Sequence, residues 1–174
     1  YGNPSSRHPY GLAAERHLRQ AHETLAQRLG APPDRLVCTS GGTEAIALAL
    51  LGTTWRQKKP GHPLLSGLEH AAARNCAKLA TQRGHEVEFL PVAADGRTDP
   101  KQVSLRLRDE TFLVAVMHVS NETGIVQPIQ EIAAAVKRHN KNCQLLVDAV
   151  QSFARIPASL DDLGADLLVA SAHK

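Results

Sequence analysis

The chain has 174 residues, 43% of them apolar and 21% charged, with 12 glycines and 10 prolines. This is the balance of a globular protein of about one domain with a core of its own, and it excludes low-complexity, collagenous and disordered chains. Twenty basic and 17 acidic residues leave a net charge of only +3, with the signs interleaved, which is not the clustered basic face that a nucleic acid requires.

Three phenylalanines, two tyrosines and one tryptophan leave the core to Leu, Val, Ile and Ala. Cys38, Cys76 and Cys143 are odd in number and form no CxxC pair, so neither a disulfide framework nor a zinc site is indicated. A reducing, cytosol-like compartment fits them. The longest apolar stretches, such as Ala45 to Leu51 and Phe112 to Met117, fall far short of the roughly 18 residues of a membrane span. Tyr1 to Pro9 is polar and proline-punctuated, unlike a signal peptide. With no initiating methionine, and with Lys174 directly after an apolar run, both ends read as cut.

In chain order, Ala14, Leu18, Ala21, Leu25 and Leu29 recur at helical steps and predict an apolar stripe ending at Gly30. Ala31 to Asp34 is a turn and Leu36 to Thr39 a brief buried strand. Ser40-Gly41-Gly42 opens a second helix, from Thr43 to about Gln57. Pro63 to Leu68 reads as a strand, and Ala71 to Arg83 as a helix stopped at Gly84. Glu86 to Val92 reads as an edge strand with Val87 and Phe89 inward. Asp95 to Arg97 is a turn, Asp99-Pro100 starts a short helix to about Arg108, and Phe112 to Val119 is a strand covered on both faces. Pro128 starts a helix to about Lys141, and Gln144 to Val147 and Asp166 to Ala170 are further buried strands. This alternation predicts a mostly parallel sheet with helices on both faces, and in such sheets ligands sit beyond the carboxyl ends of the strands.

Five strand ends carry residues without an obvious core role, each with a plainer alternative. Ser40-Gly41-Gly42-Thr43 is either an ordinary helix cap or a cradle whose free N–H groups meet a phosphate. Lacking a P-loop lysine, it disfavours a nucleoside triphosphate. Asp148 either caps the next turn or pairs with a protonated heteroaromatic nitrogen, with Gln151 three residues on. His70 and Asn121 are individually weak, and Glu122 and Thr123 before Gly124 close a turn. Lys174, after Ser171-Ala172-His173, is either where the chain happens to stop or a Schiff-base lysine. Cradle, acid and lysine in this order describe a pyridoxal-phosphate site.

The chain resembles the class V pyridoxal-phosphate enzymes, and within them the cysteine desulfurase and selenocysteine lyase family. The segments that carry the resemblance are Gly2 to Ser6, Thr39 to Ala45, Glu69-His70, Asn121 to Gly124, Asp148 to Gln151 and Ser171 to Lys174. It implies the three-layer α/β/α fold of type I pyridoxal-phosphate-dependent transferases, here as a partial large domain over residues 1–174, with the small domain absent and a homodimer at full length. It implies that Lys174 and His70 are catalytic, Lys174 holding the cofactor and moving the substrate's α-proton, with His70 over the ring. Asp148 would pair with the ring nitrogen, Gln151 and Asn121 would bond the ring oxygen, and Gly42, Thr43, Ser171 and His173 would hold the phosphate. The implied reaction takes sulfur from cysteine, or selenium from selenocysteine, leaves alanine and feeds a sulfur-acceptor protein, as in iron–sulfur cluster assembly in the cytoplasm. No nucleic acid or membrane is implied.

Ile46 and Ala47 stand where the family often has polar residues, and Ser120 and Ala172 where it commonly has Asn and Gly; none removes a catalytic group. No substrate-carboxylate arginine or mobile-loop cysteine follows Lys174, so the chain alone is expected to be inactive. None of the three cysteines suits the role of sulfur acceptor, and Cys38 falls in an expected buried strand. Another class V aminotransferase-type enzyme and a non-enzymatic remnant are the alternatives.

Overall fold

The computed structural model of the chain describes residues 2–173. The backbone forms two compact units that divide after Cys38.

In the first unit, Pro9–Leu29 is helix α1. His8 caps it by accepting the Gly11 N–H at its Nδ1 (3.2 Å), and Gly30 ends it in the left-handed region, φ 72°, with its N–H on the carbonyls of Ala26 and Gln27. The ends thus follow the sequence. The apolar stripe does not, because Ala26 and Leu29 are buried while Leu18 is 59% exposed. Within this unit the segment from Gly2 to Ser6 packs against the start of α1, and the short turn of helix at Pro33–Arg35 also packs on it. Gly2 is required where it stands, since a Cβ there would lie 2.1 Å from the Tyr10 carbonyl oxygen. The expected buried strand at 36–39 does not form: Val37 is 64% exposed and Cys38 is exposed. An apolar stretch becomes a strand only where a neighbouring strand takes its N–H and C=O groups; here, among the described residues, the Leu36 carbonyl accepts from His22 Nε2 at 3.2 Å and its N–H donates to the Pro33 carbonyl at 3.2 Å instead.

The second unit is built on five parallel strands. They are β1 (His62–Ser66), β2 (Glu88–Leu90), β3 (Thr111–Met117), β4 (Gln144–Asp148) and β5 (Leu167–Val169), in the order β2-β1-β3-β4-β5. The helices between them are α2 (Gly42–Trp55), α3 (Ala71–Gln82), α4 (Pro100–Arg106), α5 (Ile129–His139) and α6 (Leu160–Leu163). Successive strand side chains point to opposite faces, so adjacent residues serve different cores. Leu65, Leu113, Ala115 and Leu146 pack with Ile46, Leu50, Ala73 and Cys76 of α2 and α3. Leu64, Val114, Val116, Leu145 and Val147 pack with Val103, Ile132 and Val136 of α4 and α5. Both faces are therefore covered, which is why β3 and β4 read as unbroken apolar runs, and the expected three-layer α/β/α arrangement is the one observed.

Two details differ from expectation. At the edge strand β2 the inward residue is Leu90, 1% exposed, and Phe89 is 44% exposed. On a sheet covered on both faces, alternation does not say which face is sealed; here it is the one under α4 and α5. Helix α6 went unforeseen, although Ser159 and Asp162 form a full capping box at its start.

Candidate active site

Because the strands are parallel, all five carboxyl ends lie along one edge, and a cavity of about 340 Å³ opens there. Gly42, Thr43 and Ile46 of α2 line it, with His70, Met117, Asn121, Asp148, Val150, Gln151 and His173. A shallower hollow of about 460 Å³ between α3 and β2 is lined by Arg74, Lys78, Val87 and Phe89 and holds none of the expected site residues.

The first wall is the start of α2. Its N-cap, Gly41, offers no side chain, so the N–H groups of Gly42 and Thr43 have no partner within the helix and face the cavity with the positive end of the helix dipole. A Cβ on Gly42 would stand 3.0 Å from Val150 Cγ2, so glycine lets the helix begin this close to the loop after β4. Glu44 reaches back to accept the Ser40 N–H at 2.6 Å, and hydrogen bonding with the Ser40 side chain and then its N–H holds the Glu44 carboxyl below the usual range.

Asp148 ends β4 at 8% exposure. Its Oδ1 accepts the Val150 N–H at 2.9 Å, which turns the chain and directs Gln151 to the same cavity. Burial pushes the Asp148 carboxyl up, opposed by the Val150 N–H and by nearby His70. The turn cap expected of Asp148 is present, and the same residue also lines the cavity.

His70 caps α3, accepting the Ala72 N–H at Nδ1 (3.2 Å). That bond makes Nδ1 the acceptor, so the proton of the neutral ring sits on Nε2. The residue before it, Glu69, is buried, and its Oε1 accepts the Met117 N–H at 2.6 Å. Burial and the charge of Asp148 push the Glu69 carboxyl up to about 8, against the pull of the Met117 N–H and Arg74.

Asn121 is on the turn after β3. Ser120 organises that turn, accepting the N–H groups of Glu122 and Thr123 at its Oγ and that of Gly124 at its carbonyl. A buried bond between His118 Nδ1 and Ser152 Oγ, 2.9 Å, ties this turn to the one bearing Gln151. His173 lines the cavity and bonds Ser171 Oγ through Nδ1 at 2.6 Å; Ser171 reaches the site through this bond and does not itself line the cavity. Lys174 lies outside the described residues.

Of the expected site residues, the structure therefore gathers Gly42, Thr43, His70, Asn121, Asp148, Gln151 and His173 around one cavity. Glu69, His118 and Ser152 had no role assigned. The signal for Glu69 was an acid next to a site histidine, and for His118 its place at the end of an apolar strand; Ser152, far from it in sequence, carried none.

The donor set suits a flat, phosphorylated, cationic heteroaromatic ring: free helix amides for an anion, a buried acid for a ring cation, and amide side chains for a ring oxygen. The chain belongs to the aminotransferase class-V family, which matches residues 1–174, and the enzymes of this family depend on pyridoxal phosphate. It is 37% identical over 175 residues to the cysteine desulfurase IscS of Dictyoglomus turgidum, covering all of this chain and 44% of that protein. Among solved structures it is similar to a NifS-like protein, TM-score 0.92 at 34% identity, covering 99% of this chain and 48% of the other. It is as similar to SspA in complex with cysteine, TM-score 0.92 at 34% identity, covering 99% and 50%. The chain thus spans about half the length of the proteins it matches.

Proposed function

We propose that this chain is part of the cofactor-binding large domain of a cysteine desulfurase-type enzyme. The observation that carries this reading is the convergence of the free end of α2, Asp148, Gln151, Asn121 and His70 on one cavity. Pyridoxal phosphate, when bound, supplies an electron sink for negative charge at the substrate's α-carbon.

The chain's own residues divide the work of holding it. Gly42 and Thr43 bind the phosphate through backbone N–H groups, joined by His173 and, behind it, Ser171. Asp148 accepts from the ring nitrogen and keeps it protonated; Gln151 and Asn121 bond the ring oxygen. His70 stacks on the ring and, with its Nε2 free, holds or passes a proton. Lys174 is assigned the covalent hold on the cofactor and the movement of the substrate's α-proton.

The proposed substrate is cysteine or selenocysteine, with alanine as product and the sulfur or selenium passed to an acceptor protein, including for iron–sulfur cluster assembly. The desulfurase name of the Dictyoglomus relative and the cysteine in the SspA structure support the substrate class. The full protein is proposed to have a small domain, to dimerise with its own kind and to work in the cytoplasm, where its unpaired cysteines would stay reduced. The 174-residue chain alone is proposed to be inactive: Cys76 and Cys143 are buried and burial pushes both thiols up, Cys143 to about 12, and the exposed Cys38 is the thiol whose reaction with substrate would overturn this.

The test uses the natural full-length protein. Borohydride reduction and peptide mapping are expected to place the cofactor on Lys174, and cysteine to yield alanine and sulfide. An adduct on another lysine overturns the site. Amino-group transfer without sulfide favours another class V activity.

A further inference from the structure

Glu69 is the one deeply buried acid at the site without a task, 5% exposed and beside Asp148. Its place follows from strand geometry. The His118 N–H is spent on the Asp148 carbonyl at 2.9 Å, on the β4 side. Amide directions alternate along a strand, so the Met117 N–H points the other way, toward β1. The pairing of β1 with β3 has by then run out, its last partners being Leu65 and Ala115. The Glu69 carboxyl stands in for the missing carbonyl and takes the Met117 N–H.

Met117 is the register partner of Asp148 and lines the cavity with it, while His70 follows Glu69 in the chain. Arg74 braces the same loop from α3, donating from Nε to the Glu69 carbonyl at 2.9 Å and from Nη2 to the Gly67 carbonyl. Its guanidinium is spent on backbone oxygens and not on the carboxyl.

We propose that Glu69 is a positioning residue for the cofactor ring, its carboxyl splicing the end of β3, and with it Asp148, to the loop that carries His70. This rests on the site being a pyridoxal-phosphate site. The splice needs an acceptor and no charge. Two adjacent buried carboxyls do not both ionise readily. His70 favours the charge on Asp148, whereas Arg74 and the Met117 N–H favour it on Glu69. Burial pushes both carboxyls up, Glu69 to about 8, and at Asp148 the rise is opposed by the Val150 N–H and His70. Near neutrality Glu69 is the acid of the pair that keeps its proton.

The test compares the natural full-length protein with Glu69→Gln and Glu69→Ala. It measures pyridoxal-phosphate affinity by absorbance from about pH 6 to about pH 9, and hydrogen exchange at the Met117 amide. Gln keeps both the acceptor and the neutrality, so its affinity at about pH 6.5 is expected within about twofold of wild type. Ala leaves a buried N–H unpaired, so affinity is expected to drop about tenfold, with faster exchange at Met117. Above about pH 8 the wild type is expected to bind more weakly as a second carboxylate forms near a phosphate-bearing ligand, a decline that Glu69→Gln lacks.

Wild-type affinity in Glu69→Ala, damage by Gln equal to that by Ala, or the same alkaline decline in Glu69→Gln would each overturn the inference. If the Ala variant does not fold, the pH profile of the Gln variant still decides. A wild type that takes up no pyridoxal phosphate overturns the function and the ring-positioning role together. Exchange at Met117 would then still report whether the splice exists.

Discussion

The two edges of the parallel sheet are both rich in buried polar groups, and they are organised in opposite ways. At the amino edge, His62 is fully buried and bonds Thr111 Oγ1 through Nδ1 at 2.8 Å and Glu88 Oε2 through Nε2 at 3.2 Å. Arg106 reaches Glu88 at 3.0 Å, and Arg108 reaches Glu88 at 3.1 Å and Glu86 at 2.7 Å. Burial and the charge of Arg108 hold the His62 imidazole below its usual range, so the cluster is two acids against two guanidiniums. At the carboxyl edge, Asp148 and Glu69 are buried, and among the described residues no ion pair falls on either. A closed, neutral cluster holds strands together; an acid buried without a cation leaves a place for one brought by a ligand. Strands β1 and β3 supply both edges, His62 and Thr111 at their starts and Met117 and the loop bearing Glu69 at their ends, so along them the contrast belongs to the ends and not to the sheet.

The sharpest test of the carboxyl edge is Asp148→Asn in the natural full-length protein. Exchange of the substrate's α-proton is expected to fall by at least about a hundredfold, with cofactor retention changed far less, because the phosphate cradle supplies much of the anchoring. Measuring both quantities on one preparation decides it; loss of retention with exchange intact would reverse the roles assigned to the two walls.

His62→Ala attacks the other edge. It strands Thr111 and Glu88 and opens a hole, so denaturant unfolding is expected to show a loss of about 2–4 kcal/mol. The cofactor spectrum of the remaining folded protein should be unchanged. A spectral change would mean that the edges are coupled and that the contrast fails.

pH separates them more gently. Glu69 binds its proton more tightly folded than unfolded, so its contribution is full below about pH 4.5 and is lost as pH rises through about 8. His62 has the opposite sign: its pKa is lowered by folding, so its contribution is present above about pH 6.5 and is lost as pH falls. Unfolding free energies measured across this range should decline on both sides, by about 1 kcal/mol per pH unit at the steepest. Glu69→Gln is expected to flatten the alkaline side alone.

The smallest effect concerns the thiols. Cys38 is exposed, and Cys76 and Cys143 are buried. Alkylation of the folded protein followed by mass spectrometry should mark Cys38 within minutes and the other two only after unfolding. Rapid labelling of Cys143 would contradict the packing described for the α5 side of the sheet.

Much of this was legible in the chain alone. The apolar runs at 112–117 and 144–147 and the glycines at 30 and 84 marked elements whose signals are local: side-chain alternation, caps and backbone freedom at positive φ. The expected site residues were legible for the same reason, since each sits at a helix start or within about four residues of a strand end. Where sequence reasoning failed, the deciding partner was remote. Leu36 to Cys38 has the composition of a strand and no strand beside it. Leu18 and Leu25 have the spacing of a buried face in a unit with little to bury it. Phe89 and Leu90 exchanged places because only the helices overhead decide which side of an edge strand is sealed.

Apart from the strand at 36–39 and helix α6, the sequence by itself determined the succession of strands and helices and the polar residues at their junctions, because hydrophobic period and turn chemistry act within a few positions. Only the tertiary structure decided that an acid beside the cavity is pushed toward its neutral form. Asp148 and Glu69 are 79 positions apart in number, and their competition exists only because the register of β3 and β4 sets Met117 against Asp148 while Glu69 closes on Met117 from the other side. Burial and the nearness of a like charge are properties of that arrangement, and no local pattern in the chain encodes them.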